Sequence, residues 1–330
     1  MNVLIFGVTG NSGRYTANYY LNKGCNVYGV GRSEKKPKLI SDIKYFRGDI
    51  QDISFFDTLP KDIDLVINFA GVQPSIISTS EKTNLDLTLR NYVDVNITGV
   101  FNILEYVRKN KIKNYIYTTT HRDFELHWDN NKYLENNLPV AINYKGDHTM
   151  YAISKTSAKM MGDYYSEAFG IRVFNLRLPM MFMIPADPHY LVDGQPKIMP
   201  FLKIIKDAID GNELEIWGDP EMKRDYVHIE NLVSLIDLCF LSNLERGTFN
   251  VGTGEAVTTE RFIKEIGSVF SETPENIVYK NKNKTYKCAI YDISEQIDLL
   301  GYKPILLNEM LVKLKNEMKD KDSLKRWNWK

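Results

Sequence analysis

The sequence predicts a doubly wound α/β fold: a parallel sheet covered by helices on both faces, followed by a smaller mixed C-terminal lobe. Three observations carry this. Short apolar runs alternate with longer amphipathic stretches through the first 180 residues, as in a parallel sheet buried on both sides. Gly7, Gly10 and Gly13 follow the first apolar run directly. Beyond residue 180 the rhythm breaks into a stretch punctuated by Pro185, Pro188, Gly194, Pro196 and Pro200. The expected division is 1–180 and 181–330, with some interleaving of strands and helices.

The elements follow in order. Val3 to Phe6 reads as a buried strand stopped by Gly7, and Arg14 to Lys23 as a helix. Further strands are expected at Val27 to Val30, Tyr45–Phe46, Leu65 to Phe69, Tyr115 to Tyr117 and Val173 to Leu176. The clearest helices between them are Val95 to Val107 and Ser154 to Ala168. In the second part, helices are expected at Phe201–Asp210, Asn231–Leu241 and Thr259–Phe270, with strands near Leu214–Trp217 and Thr248–Val251. The run KNKNK at 280–284 is expected to be a solvated turn, and Trp327 and Trp329 of the basic tail are expected to pack on the body.

Composition excludes several function classes. The 330 residues are 43% hydrophobic and 25% charged, with 42 basic and 42 acidic side chains. A net charge of zero gives no electrostatic footprint for nucleic acid. No apolar run approaches the length of about eighteen residues that a membrane span needs, and MNVLIFG has neither the basic region nor the cleavage site of a signal peptide. Cys25, Cys239 and Cys288 are too scattered for a disulfide framework or a metal ligand set. A soluble cytoplasmic protein without a bound metal is expected.

The glycine loop carries the first chemistry. Gly7-Val8-Thr9-Gly10-Asn11-Ser12-Gly13 lies between a strand and a helix. Glycines permit positive φ and close backbone approach, and the helix that follows points its free N–H groups at a pyrophosphate. In that setting the loop marks a dinucleotide site, with Thr9, Asn11 and Ser12 lining it beside the glycines. The second strand ends Val30-Gly31-Arg32-Ser33. An acid there would suit the ribose of NAD, and an arginine suits the 2′-phosphate of NADP. Arg32 therefore favours NADP over NAD.

Tyr151 and Lys155, four residues apart, share one face of a helix. A lysine cation beside a phenol favours the phenolate and suits the tyrosine to acid–base work near neutral pH. Tyr19 and Lys23 have the same spacing and read as helix surface. Tyr151 differs because it opens the helix after the fifth strand, at the carboxyl edge of the sheet. That strand ends Thr118-Thr119-Thr120, where a hydroxyl could hold a substrate oxygen against Tyr151.

With these motifs in hand, the chain resembles the extended short-chain dehydrogenases/reductases, in the nucleotide-sugar epimerase/dehydratase group, from the glycine loop to about residue 304. The resemblance implies a Rossmann domain and residue roles. Thr120, Tyr151 and Lys155 match the catalytic set. Gly48-Asp49-Ile50 matches the adenine flank, and Phe69, Ala70 and Gly71 match the motif of the fourth strand beside the cofactor. Asn96 matches the helix asparagine. Arg224, in Arg224-Asp225-Tyr226-Val227-His228, matches an arginine that contacts substrate phosphate. Phe249-Asn250-Val251-Gly252 and Leu299-Leu300-Gly301-Tyr302-Lys303-Pro304 match the closing motifs. A homodimer through the helices that contain Asn96 and Tyr151 is implied as well.

The departures narrow the reaction. Dehydratases of the group follow the threonine with an acid pair, whereas here Thr120 is followed by His121 and Arg122, which argues against dehydration. His121 is an extra acid, a substrate contact or a plain loop histidine. Met180, Met181 and Met183 stand where the usual pyrophosphate seat lies, and thioethers adapt in shape, so a different substrate tail would fit. Three readings remain: an epimerase of nucleotide sugars working through a transient keto-sugar; an NADPH-dependent reductase or dehydrogenase of a keto-sugar or other carbonyl; and a non-catalytic dinucleotide sensor that binds a partner protein. The intact Thr120, Tyr151 and Lys155 set argues against the third.

Overall fold

A computed structural model of the chain describes residues 1–34, 42–73, 85–129, 131–145, 148–185, 187–192, 195–272 and 276–319. Its first part runs β1 (Asn2–Phe6), α1 (Asn11–Asn22), β2 (Asn26–Gly31), β3 (Lys44–Arg47), β4 (Leu65–Asn68), α2 (Leu85–Val93), α3 (Val100–Lys109), β5 (Asn114–Thr120), β6 (Tyr133–Leu134), α4 (Thr149–Phe169) and β7 (Arg172–Leu178). The main sheet is seven-stranded: the strand Arg246–Asn250, then β7, β5, β4, β1, β2 and β3. All neighbours pair in parallel.

The chain moves outward from β1 through β2 to β3, then returns to the other side of β1 as β4. The order reverses there, so the loops after β1 and β4 diverge and open a crevice. Tight packing holds the two loops together. Gly7 has φ +76°, and a Cβ on it would meet Ala70 N at 2.8 Å. The strands are buried on both faces. Val3, Ile5, Ala17, Tyr20, Leu232 and Ile236 share one cluster, and Leu4, Phe6, Val66, Ile103, Leu104 and Tyr165 share the cluster opposite.

Three features refine the sequence expectation, which allowed some interleaving of strands and helices. The strand expected at Thr248–Val251 was assigned to the C-terminal lobe, but as Arg246–Asn250 it joins the main sheet beside β7. The helix α6 (Ile229–Leu241) also packs in the cluster of β1 and α1. The second part of the chain therefore completes the sheet before it forms its own lobe. The lobe has a separate core, with Leu202, Ile205, Ile216, Phe262, Ile266 and Met310 among its members. The helix expected at Val95–Val107 is two pieces, a π-helical turn over Asp94–Gly99 leading into α3.

The charged turn near 280–284 is exposed, with Asn281 at φ +51°. Tyr19 and Lys23 serve structure: both side chains bond Asp237 of α6. The three cysteines are free thiols. Trp327 and Trp329 lie outside the described residues. No described helix is long and apolar enough to cross a membrane.

Candidate active site

A cavity of about 900 Å³ opens at the carboxyl edge of the sheet, over the switch point. Its floor is the glycine loop. Gly10 caps α1 in extended conformation with no side-chain hydrogen bond, and the first turn carries no acid. The start of α1 therefore sets no side-chain cap and no acid against an anionic ligand. Gly13 sets the approach of helix to strand, since a Cβ there would meet Val8 Cα at 2.7 Å. Gly13→Ala should therefore push α1 off β1. The expected result is a dinucleotide Kd raised roughly tenfold or more and a stability loss of about 1–3 kcal/mol, read by calorimetric titration and thermal melting.

Every residue expected at the site lines this cavity except Asn96 and Arg224. Arg32 stands exposed at the end of β2, on the same side as Asp49 and Ile50. Asn96 is fully buried behind the wall. Its Oδ1 accepts from the Val72 amide at 2.7 Å, and its Nδ2 donates to the Val72 carbonyl at 3.1 Å and to Ser154 Oγ at 3.0 Å. The Ser154 hydroxyl in turn donates to the Tyr151 carbonyl at 2.9 Å. Asn96 thus ties the loop after β4 to the first turn of α4, and reaches the site through Tyr151 rather than by contact. Arg224 lies on a two-stranded pair with Val257, its guanidinium 5.9 Å from the Tyr226 ring and its Nε buried without a hydrogen-bond partner.

At the centre of the cavity, the end of β5 meets the start of α4. Tyr151 and Thr120 line the cavity together. Burial pushes the Tyr151 phenol up to about 12, while the neighbouring Thr120 hydroxyl and the Arg122 charge oppose the rise. Lys155 is 5% exposed, and its ammonium lies 4.3 Å from the centre of the Tyr117 ring. Burial lowers it to about 7. The expected coupling, with the lysine cation lowering the tyrosine, is not what the structure shows. Thr120 and Arg122 act on the phenol, and Lys155 sits deeper, toward Gly71.

The stretch after Thr120 folds as two 3₁₀ turns over His121–His127, broken by a kink at Phe124, with the Thr120 hydroxyl accepting from the Arg122 amide at 3.2 Å. It is pinned from below by a buried ion pair, Arg177 Nε to Asp123 Oδ2 at 2.9 Å. Strand β6 pairs with Ile290–Tyr291, which brings the Tyr291 hydroxyl to 2.6 Å from His121 Nδ1. Burial lowers His121 to about 3, so its ring is neutral at physiological pH.

Sequence reasoning missed several wall residues. Arg122 was read only as a departure from the dehydratase pattern. His148 carried one faint signal, its place three residues before Tyr151. Met199 and Phe201 come from a loop and helix of the second lobe, and only the tertiary fold brings them to Met180, Met181 and Met183.

Comparison with known proteins is consistent with this geometry. A family model described as the NAD dependent epimerase/dehydratase family matches residues 3–252. A UDP-glucose 4-epimerase of Halalkalibacterium halodurans is 24% identical over 284 residues, covering 80% of this chain and 79% of that protein. Two solved structures share the fold. A UDP-glucose 4-epimerase of Thermotoga maritima with UDP-glucose has a TM-score of 0.77 at 20% identity, covering 97% of this chain and 99% of its own. A UDP-glucuronic acid 4-epimerase of Bacillus cereus in complex with NAD has a TM-score of 0.71 at 21% identity, with coverage of 97% and 99%.

Proposed function

This chain belongs to the NAD dependent epimerase/dehydratase family, and from that premise we propose that it is a nucleotide-sugar epimerase acting through a transient keto-sugar. The observation that carries the reading is that Thr120, Tyr151 and Lys155 line one cavity, with Thr120 followed by His121 and Arg122 instead of an acid pair. The glycine cradle and the uncapped start of α1 fit a dinucleotide pyrophosphate, and the relatives named above act on or bind nucleotide sugars.

When bound, the dinucleotide supplies the acceptor and donor of a hydride at the sugar carbon. The protein does the rest. Thr120 orients the reacting oxygen by its hydroxyl. Tyr151 takes the hydroxyl proton as the carbonyl forms, and returns it after the keto-sugar has presented its other face. Lys155, beneath the pair, is placed to hold ribose hydroxyls. The orphaned Nε of Arg224 suits a substrate phosphate. The exposed side chains Met160 and Tyr164 on α4, each 62% exposed, and Phe101 on α3 support a homodimer through these helices.

A second reading follows from Arg32. An arginine at the end of β2 favours the 2′-phosphate of NADP, and with it a reductase that consumes NADPH. Denaturing the purified protein and weighing the released nucleotide separates the two. Retained NAD is the expected result for an epimerase, whose cofactor need never leave. NADP, or an empty site that consumes NADPH in step with product, overturns the epimerase reading.

A further inference from the structure

We propose that Arg122 is the specificity residue of the substrate half of the cavity, and that it reads a carboxylate carried by the sugar beside the reacting hydroxyl. The inference rests on the nucleotide-sugar reading above and names its substrate class. Among the described residues the cavity is lined by three cationic side chains, Arg32, Arg122 and Lys155, and by one carboxylate, Asp49. Arg32 and Asp49 follow β2 and β3, on the adenosine side, and Lys155 is buried under the catalytic pair. That leaves Arg122 as the described cation beside Thr120 and Tyr151, with no acid in the lining there to answer it.

The guanidinium is fixed rather than free to wander. Its Nη1 lies 2.9 Å from Glu125 Oε2, and its plane lies over the Trp128 ring at 4.8 Å. Trp128 packs on His121 at 4.6 Å, and His121 is held by Tyr291. Glu125 is not part of the cavity wall; it accepts from Asn143 on its other oxygen. The anchor therefore takes one edge of a five-donor group from behind. The side chain keeps 27% exposure and lines the cavity.

Leu178, Pro179, Met180 and Met183 also line the cavity, and they offer a sugar no charge. Glu125 answers the charge through one nitrogen only, and in a half-buried site the remaining donors of the guanidinium favour an oxyanion of the ligand. Two oxyanions could meet it, a carboxylate on the sugar or the diphosphate of the nucleotide. Arg122 is two residues from Thr120 and lines the cavity together with Thr120 and Tyr151, which favours the oxyanion at the reacting end of the sugar over the diphosphate.

UDP-glucuronate and UDP-glucose share the diphosphate and differ in the carboxylate, so the pair separates the two sources. We expect wild-type kcat/KM to favour UDP-glucuronate. Arg122→Gln should lower the ratio of the two kcat/KM values roughly ten- to hundredfold, chiefly through KM, and Arg122→Lys should restore part of it. Thermal melting and dinucleotide affinity confirm that the variants fold, and the UDP-glucuronate Kd gives a readout independent of turnover. Equal losses on both substrates would assign Arg122 to the diphosphate or to support of Tyr151, and would overturn the proposal while sparing the epimerase reading. An unchanged ratio also overturns it. Wild-type protein that turns over neither compound, yet binds its dinucleotide, removes the nucleotide-sugar reading and this inference with it.

Discussion

Tyr151→Phe is expected to lower kcat by roughly 10²–10⁴ while leaving the fold and dinucleotide affinity intact. Phenylalanine keeps the ring, which packs 6.3 Å from that of Tyr92, and removes only the hydroxyl. The loss is therefore one of proton transfer. A pH profile supplies the second readout. Burial holds the phenol at about 12, so the fraction able to accept a proton grows through the neutral and alkaline range, and wild-type kcat should rise with pH. The residual rate of the variant should lack that rise. Turnover of the variant within a few-fold of wild type would remove Tyr151 from the chemistry.

The parts of the site that were legible in the sequence are those built from contiguous residues. A strand, three glycines and a helix start make one continuous cradle, and each glycine is demanded by a backbone contact, such as Gly7 against Ala70. Tyr151 and Lys155 were placed correctly on one helix because helical periodicity is local. Their electrostatic relation was not legible. Spacing suggests a cation beside a phenol, but Lys155 turns toward Tyr117, and burial acts most strongly on Tyr151, followed by Thr120, Tyr92 and Arg122, which arrive from other elements. The same limit explains Asn96: its side chain satisfies Val72 and Ser154 across three elements, so a motif residue acts as a tie. The strand Arg246–Asn250 was read in the wrong layer because strand order in a sheet is set by partners far along the chain. Its apolar residues suit either place, and only the pairing with β7 decides.

Lys155→Met is expected to abolish turnover and yet stabilise the protein free of dinucleotide. The ammonium is 5% exposed, packed over the Tyr117 ring, and no ion pair joins it to a carboxylate among the described residues. A buried cation without such a partner carries a desolvation cost, which is why its folded value falls from 10.5 to about 7. The sign follows from linkage. Below about 7 the lysine is charged in both folded and unfolded chains, and the folded state bears the full cost. Between about 7 and 10.5 the unfolded chain holds the proton more tightly, so wild-type stability from this group rises with pH. Above that range both forms are neutral and the cost is gone. Methionine has nearly the same length and no charge. At pH 6 to 7 its gain should be on the order of several kcal/mol, a Tm increase of roughly 5 °C, and the gap between variant and wild type should close toward pH 10. A variant that melts lower than wild type at pH 6.5, or a gap that does not change with pH, would show that the ammonium is compensated in the folded protein. A variant that gains stability while losing turnover would show that the site keeps this charge for binding and turnover rather than for the stability of the fold.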